Sequence, residues 1–235
     1  GGRNRWFTCL DLRSGFYQVA MNESDVDKTA FICHRGLFAH KTLPMGLKNS
    51  PATFQRLMDL TLDGLLFETC LAYLDDIILF SSTLEEHLQR LEAVLQRLVA
   101  TGLKLKPSKC RLLQTKVVFL GHVVSSEGVA TDPSKTEQVA CWPVPSCLRE
   151  VRGFLGLCGY YRRFIDRYAE IASPLTSLLK KGLRFTWSPE CQAAFERLKK
   201  ALTSPPILAM PRDEGKYILD TDASNQSIGA VLSQV

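Results

Sequence analysis

The stretch Leu71-Ala72-Tyr73-Leu74-Asp75-Asp76-Ile77-Ile78-Leu79-Phe80 decides how this chain is read. Two short apolar runs flank a pair of carboxylates, a pattern that suits two β-strands joined at a hairpin tip. Acids at a turn are common because water solvates them there, so the pair acquires meaning only from its neighbours. Upstream, Trp6-Phe7-Thr8-Cys9-Leu10 is another apolar strand, and it runs into Asp11. A sheet that sets Asp11 beside Asp75 and Asp76 concentrates three carboxylates, which repel one another at neutral pH unless a hard divalent cation neutralises them. Such a cluster predicts a magnesium site, with Mn2+ as the alternative ion. Two such ions roughly 4 Å apart can activate an attacking hydroxyl and stabilise a leaving phosphate oxygen.

Working outward, helix caps organise the rest. Asn49-Ser50-Pro51 sets Ser50 as an N-cap, followed by Ala52, Phe54, Leu57, Met58, Leu62 and Leu65 at near-helical spacing. Thr83 with Glu86 is a capping box, and Leu84, Leu88, Leu91, Leu95 and Leu98 form one apolar stripe before Gly102. Asp132-Pro133, Ser146 and Ser188-Pro189 mark three further helix starts, and Leu148, Val151, Leu155 and Cys158 form a second stripe. Residues 31–40 read as a hairpin around Arg35-Gly36, and 116–124 as a strand with Gly121 inside it. The expected fold is α+β, with helices covering one face of an antiparallel sheet, then a helical segment from about Asp132 and a return to strand after Pro211.

Composition agrees with a folded protein: of 235 residues, 46% are hydrophobic and 23% charged, which excludes disorder and collagen-like repeats. No apolar run approaches the roughly 18 residues needed to cross a bilayer, so no membrane partner and an intracellular location are expected. The eight cysteines (Cys9, Cys33, Cys70, Cys110, Cys141, Cys147, Cys158 and Cys191) lack C-x-x-C spacing and are read as buried thiols. Lys plus Arg exceed Asp plus Glu by 29 to 24, a mild hint of an anionic partner. Distribution says more. Lys104, Lys106, Lys109, Arg111 and Lys116 occur with no acid among them, and Arg149, Arg152, Arg162, Arg163 and Arg167 interleave with Phe154, Tyr160, Tyr161, Phe164 and Tyr168. That mixture suits a phosphate backbone and its bases.

The order of these segments resembles a known family. Phe7 to Gln18, then Leu43-Pro44-Met45-Gly46-Leu47-Lys48-Asn49-Ser50-Pro51-Ala52-Thr53-Phe54-Gln55, then Tyr73-Leu74-Asp75-Asp76, then Phe119-Leu120-Gly121-His122 resemble the successive motifs of retroelement reverse transcriptases. Phe154-Leu155-Gly156-Leu157, Tyr160 to Ile165 and Thr221-Asp222-Ala223-Ser224 look like the thumb and following segment of gypsy-type LTR-retrotransposon polyproteins.

The resemblance implies a right-hand polymerase: palm with partial fingers (about 19–48) over 1–130, helical thumb over 131–212, and a truncated RNase H-like β-hairpin over 213–235. Asp11, Asp75 and Asp76 would be catalytic and metal-binding. Leu12, Arg13, Phe16, Met45, Gly46, Tyr73 and Lys109 would surround the nucleotide, with Phe16 excluding a 2′-hydroxyl by its bulk. Met45-Gly46 stands where retroviral relatives have Gln-Gly. Phe119, Leu120 and Gly121 would be the primer grip; Arg149, Arg152, Arg162 and Arg163 would be thumb contacts to nucleic acid; and Asp222 would be an RNase H-like carboxylate. The implied partners are an RNA or DNA template-primer duplex, dNTP and further Pol polyprotein domains, namely fingers, RNase H, integrase and protease. The implied setting is the cytoplasm, in retroelement particles, and the nucleus. Because Asp11 lies so near the first residue, the chain is expected to be a central fragment of a longer polyprotein. A duplex-binding remnant without catalysis and an unrelated α+β domain with turn-forming aspartates are the competing readings.

Overall fold

The structure, a computed structural model, describes residues 4–182, 184–204, 206, 208–209, 215–224 and 227–234. These fall into two compact units, one ending at Ser126 and the other starting at Glu127.

The first unit contains β1 (Trp6–Asp11), α1 (Glu23–Val26), β2 (Phe31–Cys33), β3 (Gly36–Phe38), α2 (Ser50–Thr61), β4 (Cys70–Tyr73), β5 (Asp76–Ser81), α3 (Leu84–Ala100), β6 (Arg111–Gln114), β7 (Lys116–Phe119) and β8 (His122–Ser125). Its main sheet has the order β4-β5-β1-β6, with β1 antiparallel to both neighbours. Alternation along β1 sends Leu10 to one face, where Phe54, Met58, Leu62, Ile77, Leu79, Val94 and Leu98 of the helices and β5 complete a buried core. The other face carries Phe7, Cys9, Ile78 and Phe80, and the β7–β8 hairpin packs on it through Val117, Phe119 and Val124. Helices on one face only is the arrangement the caps and stripes predicted, and it leaves the second face to the hairpin.

Local details differ from the sequence reading for physical reasons. The segment 116–124 is two strands, because Leu120 and Gly121 both take positive φ (46° and 69°) and turn the chain back between Phe119 and His122. Ser50 is the first residue of α2 rather than its cap; its hydroxyl donates to the Pro44 carbonyl at 2.9 Å and fastens the Pro44-Met45-Gly46 loop to the helix. Asn49 occupies the cap position instead. The Thr83 cap is formed, its hydroxyl accepting from the Glu86 N–H at 3.2 Å, and α3 stops before Gly102, whose φ is +74°. Leu84 and Leu88 nevertheless face outward; the buried side of α3 runs through His87, Val94 and Leu98, because His87 finds polar partners inside.

Those partners form a buried network invisible in the sequence. His87 Nδ1 lies 2.9 Å from Ser81 Oγ and Nε2 lies 2.7 Å from Thr8 Oγ1, while Thr8 Oγ1 also accepts from the Leu113 N–H at 3.1 Å. The network joins α3, β5, β1 and the β6 edge. Burial, and then the charge of Arg90, hold His87 below its ordinary pKa, so the folded protein keeps it neutral. The unfolded chain takes up a proton near pH 6.5. Stability from this group is therefore full above that pH and falls as pH drops below it, by at most about 1.4 kcal/mol per pH unit. Denaturant unfolding at pH 7.5 and 5.5 should show the loss in the wild type and a smaller one in His87→Gln; equal pH dependence in both would refute the assignment.

The second unit contains β9 (Gly128–Thr131), α4 (Pro133–Ala140), α5 (Leu148–Tyr160), α6 (Tyr168–Ser177), α7 (Pro189–Thr203), β10 (Tyr217–Ala223) and β11 (Ile228–Gln234). Asp132 and Ser188 cap α4 and α7 through their side chains as expected. The cap position of α5 falls on Cys147, not Ser146; Ser146 instead donates its N–H to Glu150 at 2.7 Å. Val151, Phe154, Leu155 and Cys158 pack against Phe195 and Leu198 of α7 and Leu175 of α6. The strands β10 and β11 pair antiparallel and are largely exposed; the start of the return to strand at 211–214 lies outside the described residues. The cysteines are only partly the buried thiols expected: Cys70, Cys158 and Cys191 are buried, whereas Cys33 and Cys141 are exposed, one ending an edge strand and the other capping a helix on the surface.

Candidate active site

The acidic hairpin is tighter than its sequence implies. Tyr73 pairs with Asp76, so the loop is only Leu74-Asp75, and Asp76 belongs to β5. A two-residue loop between paired strands requires unusual backbone angles, here a φ of +52° at Leu74, uncommon for a side chain of that size. Gln55 of α2 holds the turn: its Oε1 accepts from the Leu74 N–H at 2.7 Å, and its Nε2 donates to the Ala72 carbonyl at 3.3 Å. Across the sheet, Asp11 stands directly opposite Asp76. The Leu12 N–H donates to the Asp75 carbonyl at 3.1 Å, drawing the third aspartate to the end of β1.

Like charges opposite one another in a sheet are unfavourable, and the electrostatics show it. Burial first, then the charges of Asp75 and Asp11, push the Asp76 carboxyl above its ordinary pKa, against the pull of Lys109. Lys109 answers the crowding; its Nζ lies 3.0 Å from Asp11 Oδ2, and this bond raises the lysine pKa. The lysine is delivered by backbone. Arg13 N–H donates to the Lys104 carbonyl and Lys106 N–H to the Asp11 carbonyl, both at 2.8 Å. Gln18 clamps the same segment, accepting from the Lys104 N–H at 2.7 Å and donating to its carbonyl at 3.0 Å. Among the described residues, no three His, Cys, Asp or Glu side chains are gathered closely enough to form a metal-binding group.

Two clefts meet at these acids. One, of about 370 Å³, is bounded by Asp11, Asp75, Phe16, Met45, Lys106 and Lys109. The other, of about 520 Å³, is bounded by Asp11, Asp76, Lys109, Arg111, Lys116, Phe119 and Leu120. The first thus collects Phe16, Met45 and Lys109 of the expected nucleotide set, and the second brings Phe119 and Leu120 of the expected primer grip, but not Gly121, to a cleft bordered by Asp11 and Asp76. Leu12 is a core residue at 1% exposure, although it also borders the first cleft. Arg13, Gly46 and Tyr73 are exposed and line neither cleft. Phe16 serves core and cleft together, packing edge-on against Phe54 with ring centroids 5.4 Å apart.

In the second unit, Arg149, Arg152, Arg162 and Arg163 are all exposed, and none is ion-paired among the described residues. Arg167 pairs with Glu170, and Glu150 accepts from Ser146. Asp222 is exposed on β10, opposite Gly229. Sequence reasoning missed Gln55, Gly15, Gln18 and Lys106 as parts of the site. Gln18 does carry a signal, as an amide among apolar residues shortly after the strand that ends at Asp11; Gln55, beside Arg56 in the middle of α2, carries none.

Residues 1–124 match the family described as reverse transcriptase (RNA-dependent DNA polymerase), and residues 187–235 match an RNase H-like domain found in reverse transcriptase. The chain is 46% identical over 234 residues to the retrovirus-related Pol polyprotein from transposon 297 of Drosophila melanogaster, covering 99% of this chain and 22% of that polyprotein. It is 37% identical over 245 residues to the Pol polyprotein from transposon gypsy of the same organism, covering 99% of this chain and 24% of that one. The chain therefore spans about a quarter of the length of these relatives or less. Among solved structures, a foamy viral protease-reverse transcriptase in complex with RNA/DNA hybrid superposes with a TM-score of 0.83 at 26% identity, over 99% of this chain and 32% of that one. Another foamy viral protease-reverse transcriptase structure, in complex with dsDNA, gives a TM-score of 0.84 at 26% identity, over 99% and 41%. An acid pair at adjoining strand ends, a hairpin facing it across a cleft and a matching sequence over residues 1–124 leave one conclusion: the chain belongs to the reverse transcriptase family.

Proposed function

We propose that this chain is the catalytic centre of an RNA-directed DNA polymerase, acting within a longer Pol polyprotein. The observation that carries this is the pairing of Asp11 with Asp76, with Asp75 on the adjoining two-residue loop, where two clefts converge. The donor chemistry, though not the present spacing, suits a hard divalent cation: three carboxylates, two of them in register across β1 and β5 and the third on the adjoining loop, whose charges push Asp76 above its ordinary pKa. Asp11, Asp75 and Asp76 would hold Mg2+, or Mn2+ in its place. When bound, the metal supplies charge neutralisation at the phosphates and lowers the pKa of an attacking hydroxyl.

The chain's own residues do the positioning. Lys109 offers an ammonium to the anionic tail of a dNTP, Phe16 and Met45 wall the sugar side of the smaller cleft, and the Phe119-Leu120-Gly121 turn faces the primer. Residues 1–130 are read as palm with partial fingers at 19–48, and 131–212 as a thumb whose exposed arginines contact phosphates without reading sequence. Residues 213–235 are read as the start of an RNase H-like domain, with Asp222 one of its carboxylates. The division of the described residues at Ser126 and Glu127 supports the palm–thumb boundary. No helix among the described residues is long and apolar enough to cross a membrane. The cytoplasm and the nucleus, the expected setting of a retroelement replication protein, complete the reading, with fingers, RNase H, protease and integrase segments as covalent neighbours.

The test is divalent-ion-dependent primer extension on RNA and DNA templates by the polypeptide carrying this segment. No incorporation, with salt-dependent duplex binding retained, would favour a duplex-binding remnant instead. Within the same assay, Phe16→Ala should raise ribonucleotide use relative to deoxyribonucleotide by opening space for a 2′-hydroxyl. Unchanged discrimination together with lost stability would make Phe16 a core residue only, held by its contact with Phe54.

A further inference from the structure

The amide of Gln55 has more partners than the turn alone supplies. Its Oε1 accepts from the Leu74 N–H at 2.7 Å, while its Nε2 donates to the Ala72 carbonyl at 3.3 Å and to Asp59 Oδ1 at 2.9 Å. Asp59 lies four residues further along α2, and a Gln–Asp pair at that spacing is by itself a common, weak surface contact. Here the pair has a direction. An ionised carboxylate and a carbonyl can only accept, and a backbone N–H can only donate. An amide turned end for end would set its oxygen against two acceptors and its NH2 against a donor. Asp59 and Ala72 together therefore leave Gln55 with its oxygen aimed at Leu74.

The bond falls where the backbone most needs it. Leu74 has a φ of +52°, a conformation that a leucine keeps only when its surroundings impose it. The two-residue loop leaves the Leu74 N–H outside the ladder between β4 and β5. One residue on, the Asp75 carbonyl accepts from the Leu12 N–H at 3.1 Å. The peptide groups that bracket Leu74-Asp75 are thus pinned to different elements, one to α2 and the other to the end of β1. The α2 side is a firm base, because Phe54 and Met58 are fully buried on the same helix. Neither Gln55 nor Asp59 borders either cleft, whereas Leu74 and Asp75 border the smaller one. Any effect of the amide on the site passes through the turn.

We propose that Gln55, oriented by Asp59, is a positioning residue for Asp75: the Asp59–Gln55–Leu74 relay holds the acidic turn in the backbone geometry that keeps Asp75 at the end of β1, next to Asp11. The consequence for rate rests on the polymerase reading; the relay itself is a property of the backbone and is measured without catalysis. It acts on the placement of one carboxylate and leaves the Phe16 and Met45 walls of the smaller cleft as they are. Its signature is a fall in the maximal rate of incorporation with little change in the dNTP concentration that half-saturates it.

The experiment uses the longer polypeptide that carries this segment, with single-turnover primer extension over a range of dNTP, a thermal melt and residue-resolved hydrogen exchange over 71–76. Gln55→Met keeps the length of the side chain and removes its bonds. Exchange at the Leu74 amide should rise by about 3- to 10-fold, the equilibrium worth of one hydrogen bond. The maximal rate should fall by about 10- to 100-fold, the scale of a small misplacement of a reacting group, with the half-saturating dNTP concentration within about threefold of the parent and the melting temperature within about 4 °C. Gln55→Glu alone sets a carboxylate against Asp59 and should lose rate in the same way. Adding Asp59→Asn returns a donor to face the new carboxylate, whose other oxygen accepts from Leu74, so the double variant should recover most of the rate and of the Leu74 protection. A wild-type rate in Gln55→Met, a rate loss that merely tracks a fall in melting temperature, or no recovery in the double variant would overturn the proposal. If the parent polypeptide shows no divalent-dependent extension, the polymerase reading fails and exchange alone decides the relay: Leu74 protection lost in Gln55→Met and regained in the double variant sustains it, and unchanged protection overturns it.

Discussion

Replacing Asp75 with Asn is expected to lower divalent-ion-dependent nucleotide incorporation by about 1,000-fold or more, the scale of removing a preorganised electrostatic group from a reaction centre. The fold should remain. The loop that carries Asp75 is held by bonds that do not involve its carboxylate: the Asp75 carbonyl accepts from the Leu12 N–H, and Gln55 engages the Leu74 N–H. Asn has nearly the same shape and removes one of the charges that press on Asp76, so thermal unfolding should stay at the wild-type temperature or rise slightly. Steady-state incorporation, divalent-ion titration and a thermal melt on the same preparation separate the effects. Incorporation within a few-fold of the parent would eliminate Asp75 as a metal-holding residue, and a large fall in melting temperature would show that the carboxylate supports the hairpin itself.

The second large effect is expected at Gly15, a residue with no chemistry of its own. A Cβ placed there would lie 3.0 Å from Asp75 Cβ and 3.1 Å from Phe54 Cζ. Neither neighbour yields easily. Phe54 is fully buried in the helix–sheet core and carries the edge-on contact with Phe16, while Asp75 is tied down on a two-residue loop. Gly15→Val should therefore displace the acid, the aromatic wall of the smaller cleft, or both. Overpacking of this kind costs about 1–3 kcal/mol of stability, and a shift of about 1 Å in a reacting group costs on the order of 100-fold in rate. Gly15→Ala should fall between glycine and valine in both respects. Denaturant unfolding with single-turnover kinetics would measure the pair; a valine variant with wild-type rate and midpoint would show that this contact is loose in solution.

Sequence and structure divide the explanation of this protein along a physical line. Short-range chemistry is written in the sequence: Thr83, Asp132 and Ser188 cap their helices through their own side chains, and an apolar run on each side of Asp75-Asp76 makes a hairpin whatever lies elsewhere. The motif order likewise placed the three aspartates in one family before any coordinates. Where local preference is weak, the sequence misleads by a residue or a face. Ser146 and Ser50 are both good caps in principle, yet Glu150 and the Pro44 carbonyl draw them into other bonds. The stripe on α3 is rotated because a buried His87 can be satisfied only where Thr8 and Ser81 meet it from two other strands. Gly121 inside a β-branched run reads as a strand interior until the backbone shows Leu120 sharing its positive φ. What only the tertiary structure decided is which residues surround the acids. The pairing of Asp11 with Asp76, the close approach that keeps Gly15 small, the Gln55 bond to the acidic loop and the division of one basic run between two clefts all join residues distant in the chain. Such neighbours are set by strand register and by packing of the helix-facing core, which are properties of the whole sheet and leave no local mark in the sequence.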